Sequence, residues 1–294
     1  MLLPRRLAIA ACVLLTVAVP TVVTGTSVSA VTPTCGGTTL YKANGTAWTC
    51  TFADEFSGTS LNTGNWVVQT TAASSFSSGE QDCFVNNSKN VSVANGVLSL
   101  TTRRESARFT CSDPAGSYRT QFTSGMVMSM GKFSQTYGRF EVRAKFPATT
   151  VAGLQSTLWM WPNNATKYGA WPKSGEIDIA EVYSANNDRV IPYVHYKPSS
   201  TDLNVTNNYC MLNPAVMHTY TLVWTSSTLT ISFDGKVCVA DTWKPAWPLL
   251  KPAPFNQPFF MALTQGLGTG PNAFDPMRTP LPATTQIDYV RAWK

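Results

Sequence analysis

Three carboxylates within six residues, Glu176, Asp178 and Glu181, stand out in a chain of 294 residues that carries only 16 acidic side chains. They lie in the stretch Trp171-Pro172-Lys173-Ser174-Gly175-Glu176-Ile177-Asp178-Ile179-Ala180-Glu181-Val182-Tyr183. Two carboxyl groups facing each other across a groove can break a glycosidic bond, one as nucleophile or base and one, protonated, as acid. Glu176 and Glu181 suit those two roles. Asp178 between them would hold Glu176 by a hydrogen bond and drive the two ionisations apart, because close like charges resist simultaneous ionisation. The strand itself does not say which Glu is the acid. Composition alone yields E-x-D-x-x-E in about one chain of this kind in twenty, and three acids can also be a solvated face, so the surrounding elements must decide.

Glu176, Ile177, Asp178 and Ile179 alternate with the two-residue period of a pleated strand that has one wet face. Glu176 and Asp178 then point the same way. Glu181 lies at an odd spacing from Glu176 and in a regular strand would turn into the apolar side, an unpartnered buried charge. One extra residue near Ala180 restores the phase, so the spacing predicts a β-bulge. The two Glu α-carbons would then lie roughly 13 Å apart. Side chains leaning together would bring the carboxyls to about 5 to 6 Å, nearer the separation of a retaining than of an inverting glycosidase.

Sugar rings present apolar faces that aromatic planes hold well. Nine tryptophans supply candidates, with Trp159, Trp161 and Trp171 flanking the acidic stretch. Single tryptophans also build β-sandwich interiors. His195, in Tyr193-Val194-His195-Tyr196, falls on the next strand and is a candidate to hydrogen-bond the acids or a sugar hydroxyl. His218 is read as structural. No G-x-S-x-G elbow accompanies the serines.

At the N-terminus, Arg5 and Arg6 precede an apolar run from Leu7 to Val23, and Val28-Ser29-Ala30 offers a cleavage site. This reads as a signal peptide over residues 1–30, giving a secreted, extracellular protein with no membrane segment after cleavage. Removal takes away two arginines and no acids, so the formal net charge falls from +6 to +4. The positive residues are scattered along the chain, which argues against a nucleic-acid partner. Beyond the leader, Cys35, Cys50, Cys83, Cys111, Cys210 and Cys238 form an even set for an oxidising compartment. The sequential pairing Cys35–Cys50, Cys83–Cys111 and Cys210–Cys238 is favoured because closing shorter loops costs less entropy. No C-x-x-C is present to suggest zinc.

Residues 31–47, rich in Gly, Thr and Pro, read as an N-terminal extension, and residues 48–294 as one domain. Alternation predicts strands near 90–93, 97–102, 125–130, 137–146, 154–161, 190–196, 219–224, 228–233, 237–240, 258–264 and 286–293. In the clearest of them Phe140, Val142, Ala144 and Phe146 share one face while Arg139, Glu141, Arg143 and Lys145 share the other. Asn95-Gly96 and Asp234-Gly235 mark hairpins. Such a run of strands with hardly a helical period is an all-β chain, read as a two-sheet antiparallel β-sandwich, a jelly roll of concanavalin type with a concave substrate cleft, although a closed barrel would give a similar pattern.

These motifs resemble glycoside hydrolase family 16, and within it the laminarinase-like branch that carries the bulge. Besides Gly175 to Glu181, the resemblance rests on Phe52-Ala-Asp-Glu-Phe-Ser-Gly-Thr-Ser-Leu61 with Trp66, Asn90 to Leu100, and Tyr137-Gly-Arg-Phe-Glu-Val-Arg143. Leu158-Trp-Met160, His218-Thr-Tyr220 with Trp224, and Ile287-Asp-Tyr-Val-Arg291 complete it over roughly residues 50–294. It implies Glu176 as nucleophile, Glu181 as acid/base, Asp178 as their assisting carboxylate, Trp159 and Trp171 as subsite aromatics and His195 as a polar cleft residue. The activity it implies is retaining endo-hydrolysis of β-1,3-glucan by a monomer with no cofactor needed for catalysis. The alternatives are a transglycosylase on the same site and a non-catalytic glycan-binding module. It also implies a structural calcium on the convex sheet, with Asp288 as one ligand. Two departures stand out: Ala180 at the bulge, where laminarinases often carry Met, and a polar Thr264-Gln265 pair in a late strand expected to be more apolar.

Overall fold

The computed structural model describes residues 33–198 and 205–294, so the expected leader lies outside the described residues. The described strands are β1 (Cys50–Asp54), β2 (Val67–Val68), β3 (Asp82–Phe84), β4 (Val91–Ala94), β5 (Val97–Cys111), β6 (Tyr118–Met128), β7 (Gly138–Lys145) and β8 (Leu154–Pro162). They continue with β9 (Glu176–Tyr183), β10 (Ile191–His195), β11 (His218–Trp224), β12 (Leu229–Phe233), β13 (Lys236–Asp241), β14 (Phe259–Leu267) and β15 (Ala283–Trp293).

Strand pairing runs β10-β9-β8-β14-β6-β5-β15-β7-β11-β12-β13. Strands β5 and β6 are long enough to serve both layers. β5 pairs with β15 through Leu98 to Thr102 and then with β6 through Arg103 to Cys111. β6 pairs with β14 through Gly125 to Met128. The sheet thereby folds over on itself into the expected sandwich. One core fills it, with Leu158, Ile177, Ile179 and Leu263 from the front layer meeting Leu98, Phe140, Val142, Leu222 and Ile287 from the back.

Local sequence explains the layers. In β7 the apolar residues Phe140, Val142 and Ala144 are buried, as the alternation requires. Their outward neighbours are tied by ion pairs, Arg139 to Glu141 and Arg143 to Asp288. Asn95 and Gly96, like Asp234 and Gly235, all have positive φ, the backbone of the tight turn that joins twisted strands. All three sequential disulfides form, Cys35–Cys50, Cys83–Cys111 and Cys210–Cys238.

Three features differ from expectation or were not foreseen. The strand expected to stop at residue 102 continues to Cys111 and pairs with the start of β6. The first residues of this arm, Arg103 to Ser106, are all polar and break the alternation, and only the short end, Ala107, Phe109 and Cys111 against Arg108 and Thr110, resumes it. Secondly, the Thr264-Gln265 pair is satisfied on both sides of β14. Thr264 accepts a hydrogen bond from Trp159 Nε1 at 2.9 Å on the outer face. Gln265 Oε1, fully buried, accepts from Ser156 Oγ at 2.6 Å and from Thr285 Oγ1 at 2.7 Å, so one amide links front and back layers. Thirdly, the Asp288 carboxylate, at a bulge in β15, is engaged by the Arg143 guanidinium. A calcium ion bound through this carboxylate would have to compete with that guanidinium.

Candidate active site

β9 lies between β8 and β10, and both neighbours record the bulge. Leu158 pairs with Ala180 but Trp159 pairs with Asp178, and on the other side Ile191 pairs with Glu181 but Tyr193 with Asp178. One extra residue on β9 therefore falls at Ile179-Ala180. Ile177, Ile179 and Ala180 all enter the core. Glu176, Asp178 and Glu181 line one open cleft on the front layer, as the odd spacing predicts. Ala180 is fully buried where two consecutive side chains crowd inward, which gives its small size a reason.

The chain enters β9 through Gly175 at φ +87, where a Cβ would meet Phe255 Cε1 at 2.9 Å. Only glycine fits both demands. The tight passage sets Trp171 over the start of the strand, and its indole Nε1 donates to Glu176 Oε2 at 2.5 Å. Asp178 Oδ2 lies 2.9 Å from His195 Nε2. Asp178 was expected to hold Glu176. Among the described residues, the hydrogen bond on Glu176 comes instead from Trp171, and Asp178 partners His195, because β10 places His195 directly across from Glu176. The His195 ring stacks on Tyr193, centroids 4.0 Å apart, and stands 5.5 Å from Trp171. Glu181 accepts from Gln155 Nε2 at 3.1 Å and from the Tyr183 hydroxyl.

Burial and mutual repulsion make these acids reluctant to ionise together. Burial first, then the neighbouring Asp178 charge, push the Glu176 carboxyl up to about 8, while His195 and the Trp171 hydrogen bond oppose the rise. Asp178, fully enclosed beside Glu181, is held well above the ordinary range. Burial also raises Glu181, against the pull of Tyr183, His195 and Gln155. The same burial lowers His195, so its imidazole favours the neutral form. The trio thus retains protons where isolated carboxylates would have lost theirs.

Trp159 pairs directly across from Asp178 and stacks on Phe76 at 6.0 Å, a platform beside the acids. Trp161 meets Trp159 edge-on at 5.8 Å. His218 lies elsewhere, held by Asp234 and the Asn213 carbonyl, as a structural histidine. Phe76, Ser77, Ser78 and Gly79 form a cleft wall that sequence reading did not foresee, facing Leu267 and Thr269. Behind that wall the fully buried Asp82 takes hydrogen bonds from Ser78 N, Ser124 Oγ and Leu267 N at 2.9, 2.5 and 3.1 Å. Tyr183 was legible, since it lies two residues beyond Glu181 and so on the same face. The wall was not: a Ser-rich loop carries no period.

Among the described residues one group of side chains is arranged closely enough to hold a metal ion, Asp178, Glu181 and His195, with ligand atoms within 4.8 Å of one another. These are the residues of the acid cluster itself, with Asp178 already paired to His195 and Glu181 to Gln155 and Tyr183.

Comparison with known proteins gives a consistent picture. The model of the family described as "Glycosyl hydrolases family 16" matches residues 78–274. Glucan endo-1,3-beta-glucosidase A1 of Niallia circulans is 32% identical over 263 residues, 82% of this chain and 37% of that protein. Keratan-sulfate endo-1,4-beta-galactosidase of Sphingobacterium multivorum is 35% identical over 182 residues, 59% of this chain and 40% of that protein. The chain thus spans well under half the length of these two relatives. The laminarinase catalytic domain of Thermotoga maritima superposes with a TM-score of 0.69 at 25% identity, covering 84% of this chain and 98% of that one.

Proposed function

The chain belongs to glycosyl hydrolase family 16, and from its cleft we propose that it is a secreted, retaining endo-β-glycanase acting on β-1,3-glucan. The observation that carries this reading is the bulge at Ile179-Ala180, which turns Glu181 onto the cleft face beside Glu176 and Asp178. The glucanase relative and the laminarinase neighbour support β-1,3-glucan as the polymer. Three disulfides and the leader-like N-terminus support secretion.

In this mechanism Glu176 attacks the anomeric carbon and Glu181 protonates the departing oxygen. Asp178 keeps its proton, since it is the most enclosed of the three. Neutral Asp178 removes its repulsion from Glu176, and the Trp171 N–H favours the ionised form that a nucleophile needs. Glu181, raised by burial, is still protonated when the bond breaks. Water then enters against the glycosyl–Glu176 ester, with Glu181 now acting as base. A non-catalytic glycan-binding role would be marked by loss of one of these acids, and all three are present.

Glu176→Gln and Glu181→Gln are each expected to abolish reducing-end release from laminarin while the fold is kept. Proton NMR of the first-formed product should show the β anomer. Activity surviving in both variants, or an α product, would overturn the assignment. Because one relative is named for keratan sulfate, the same assay should be run on keratan sulfate beside laminarin.

A further inference from the structure

The sequence scatters its positive residues, but the arm formed by the outer parts of β5 and β6 gathers three of them. Arg104, Arg108 and Arg119 line a second groove together with Phe122, Phe274 and Gln81. This groove adjoins the cleft. Ser77, Ser78 and Gly79 face the acids, while the next two residues of the same loop, Glu80 and Gln81, line the second groove. On the opposite bank Thr269 lines the cleft and Phe274 the groove. Gln81 Nε2 reaches across to the Gly268 carbonyl at 3.4 Å, so a single narrow rim separates the two.

The guanidinium groups are fixed in place. Arg104 donates to the Pro276 carbonyl at 2.8 Å and lies 5.2 Å from the centre of the Phe122 ring. Arg108 and Arg119 each donate to the other's backbone carbonyl, at 2.9 and 3.1 Å. The Cys83–Cys111 disulfide ties the end of the arm to the body of the domain. Five other arginines, Arg103, Arg139, Arg143, Arg189 and Arg291, each have an acidic partner. Among the described residues none of the three groove arginines does. Glu80, exposed at the rim, is the one acid among the lining residues. Arg119 also donates to Thr110 Oγ1 at 3.4 Å, so the three like charges are held by neutral partners only and repel one another. An incoming anion relieves that repulsion and can use the remaining N–H donors in paired, planar hydrogen bonds.

We propose that this groove binds an anionic substituent, a sulfate ester or a carboxylate, on the glycan chain that occupies the neighbouring cleft. The inference rests on the cleft being a glycan site, as argued above, and adds a charge preference that a neutral glucan would not exploit.

Affinity electrophoresis tests it in gels containing laminarin, sulfated laminarin or carboxymethylated laminarin, with the Glu176→Gln background used to prevent hydrolysis. The triple variant R104Q/R108Q/R119Q is compared with K89Q/K132Q/K236Q, which removes the same charge from exposed lysines elsewhere. Three surface ion pairs predict a loss of about tenfold in affinity for the charged polymers. That loss should appear in the arginine variant only, with retention by neutral laminarin unchanged, and the two charged gels identify which group is preferred. Equal losses in both triple variants, or equal retention of the unsubstituted protein by neutral and charged laminarin, would overturn the proposal. Dextran sulfate against dextran repeats the comparison on a different backbone. A protein that hydrolyses no β-1,3-glucan yet shows the arginine-dependent retention would refute the glucanase reading and leave the anion site standing.

Discussion

Replacing Trp171 by Phe removes one hydrogen-bond donor from Glu176 while keeping an aromatic ring near His195. The lost bond runs from indole Nε1 to Glu176 Oε2 at 2.5 Å. A bond to a charged acceptor contributes about 1.5 to 3 kcal/mol when shielded. Trp171 is 57% exposed, so solvent competes and about 1 kcal/mol is the reasonable figure. The sign follows from which form the bond favours. The N–H stabilises ionised Glu176, so its removal raises the carboxyl further above its already elevated value of about 8. A nucleophile must be ionised, hence the acidic limb of kcat/KM against pH moves to higher pH. The displacement expected is about 0.7 pH unit, or about a fivefold loss on the acidic side that vanishes on the alkaline side. The assay is kcat/KM on a laminarin oligosaccharide across that limb, with thermal unfolding as a control for folding. A profile superimposable on the parent's, or one displaced to lower pH, would refute the argument that Trp171 tunes Glu176 as the ionised partner. A uniform loss at every pH would show that the indole acts as a sugar platform alone.

Two further outcomes follow from buried and surface charge. Asp82→Asn presents an amide N–H to one of the donors now satisfied by the carboxylate, from Ser78, Ser124 or Leu267. Denaturant unfolding should show a loss of about 1 to 3 kcal/mol, and an unchanged midpoint would mean the wall is not held from this side chain. With Asp288 paired to Arg143, chelator should leave the melting temperature unchanged. A fall in melting temperature, with calcium found on metal analysis, would restore the structural-calcium expectation.

Much of this protein is written locally. The two-residue period of β7 and β9 states which side chains face the core, because a pleated strand leaves no other choice once one face is dry. The odd step from Asp178 to Glu181 required a bulge for the same reason: an acid on the side of Ile177 and Ile179 would be a charge without a partner. Disulfide pairing followed from loop length, and hairpins from Asn-Gly and Asp-Gly. Periodicity, however, assigns a residue to a face and says nothing about which distant strand becomes its neighbour. That Asp178 meets His195 rather than Glu176 depends on the register of β10 against β9. That Gln265 is at home in an interior depends on Ser156 and Thr285 arriving from two different layers. The wall at Phe76 to Gly79 and the gathering of Arg104, Arg108 and Arg119 likewise arise only when the folded sheet brings separate segments together. Short-range alternation therefore determined the acids and the face they share, whereas long-range pairing decided their hydrogen-bond partners, their ionisation and the shape of the groove around them.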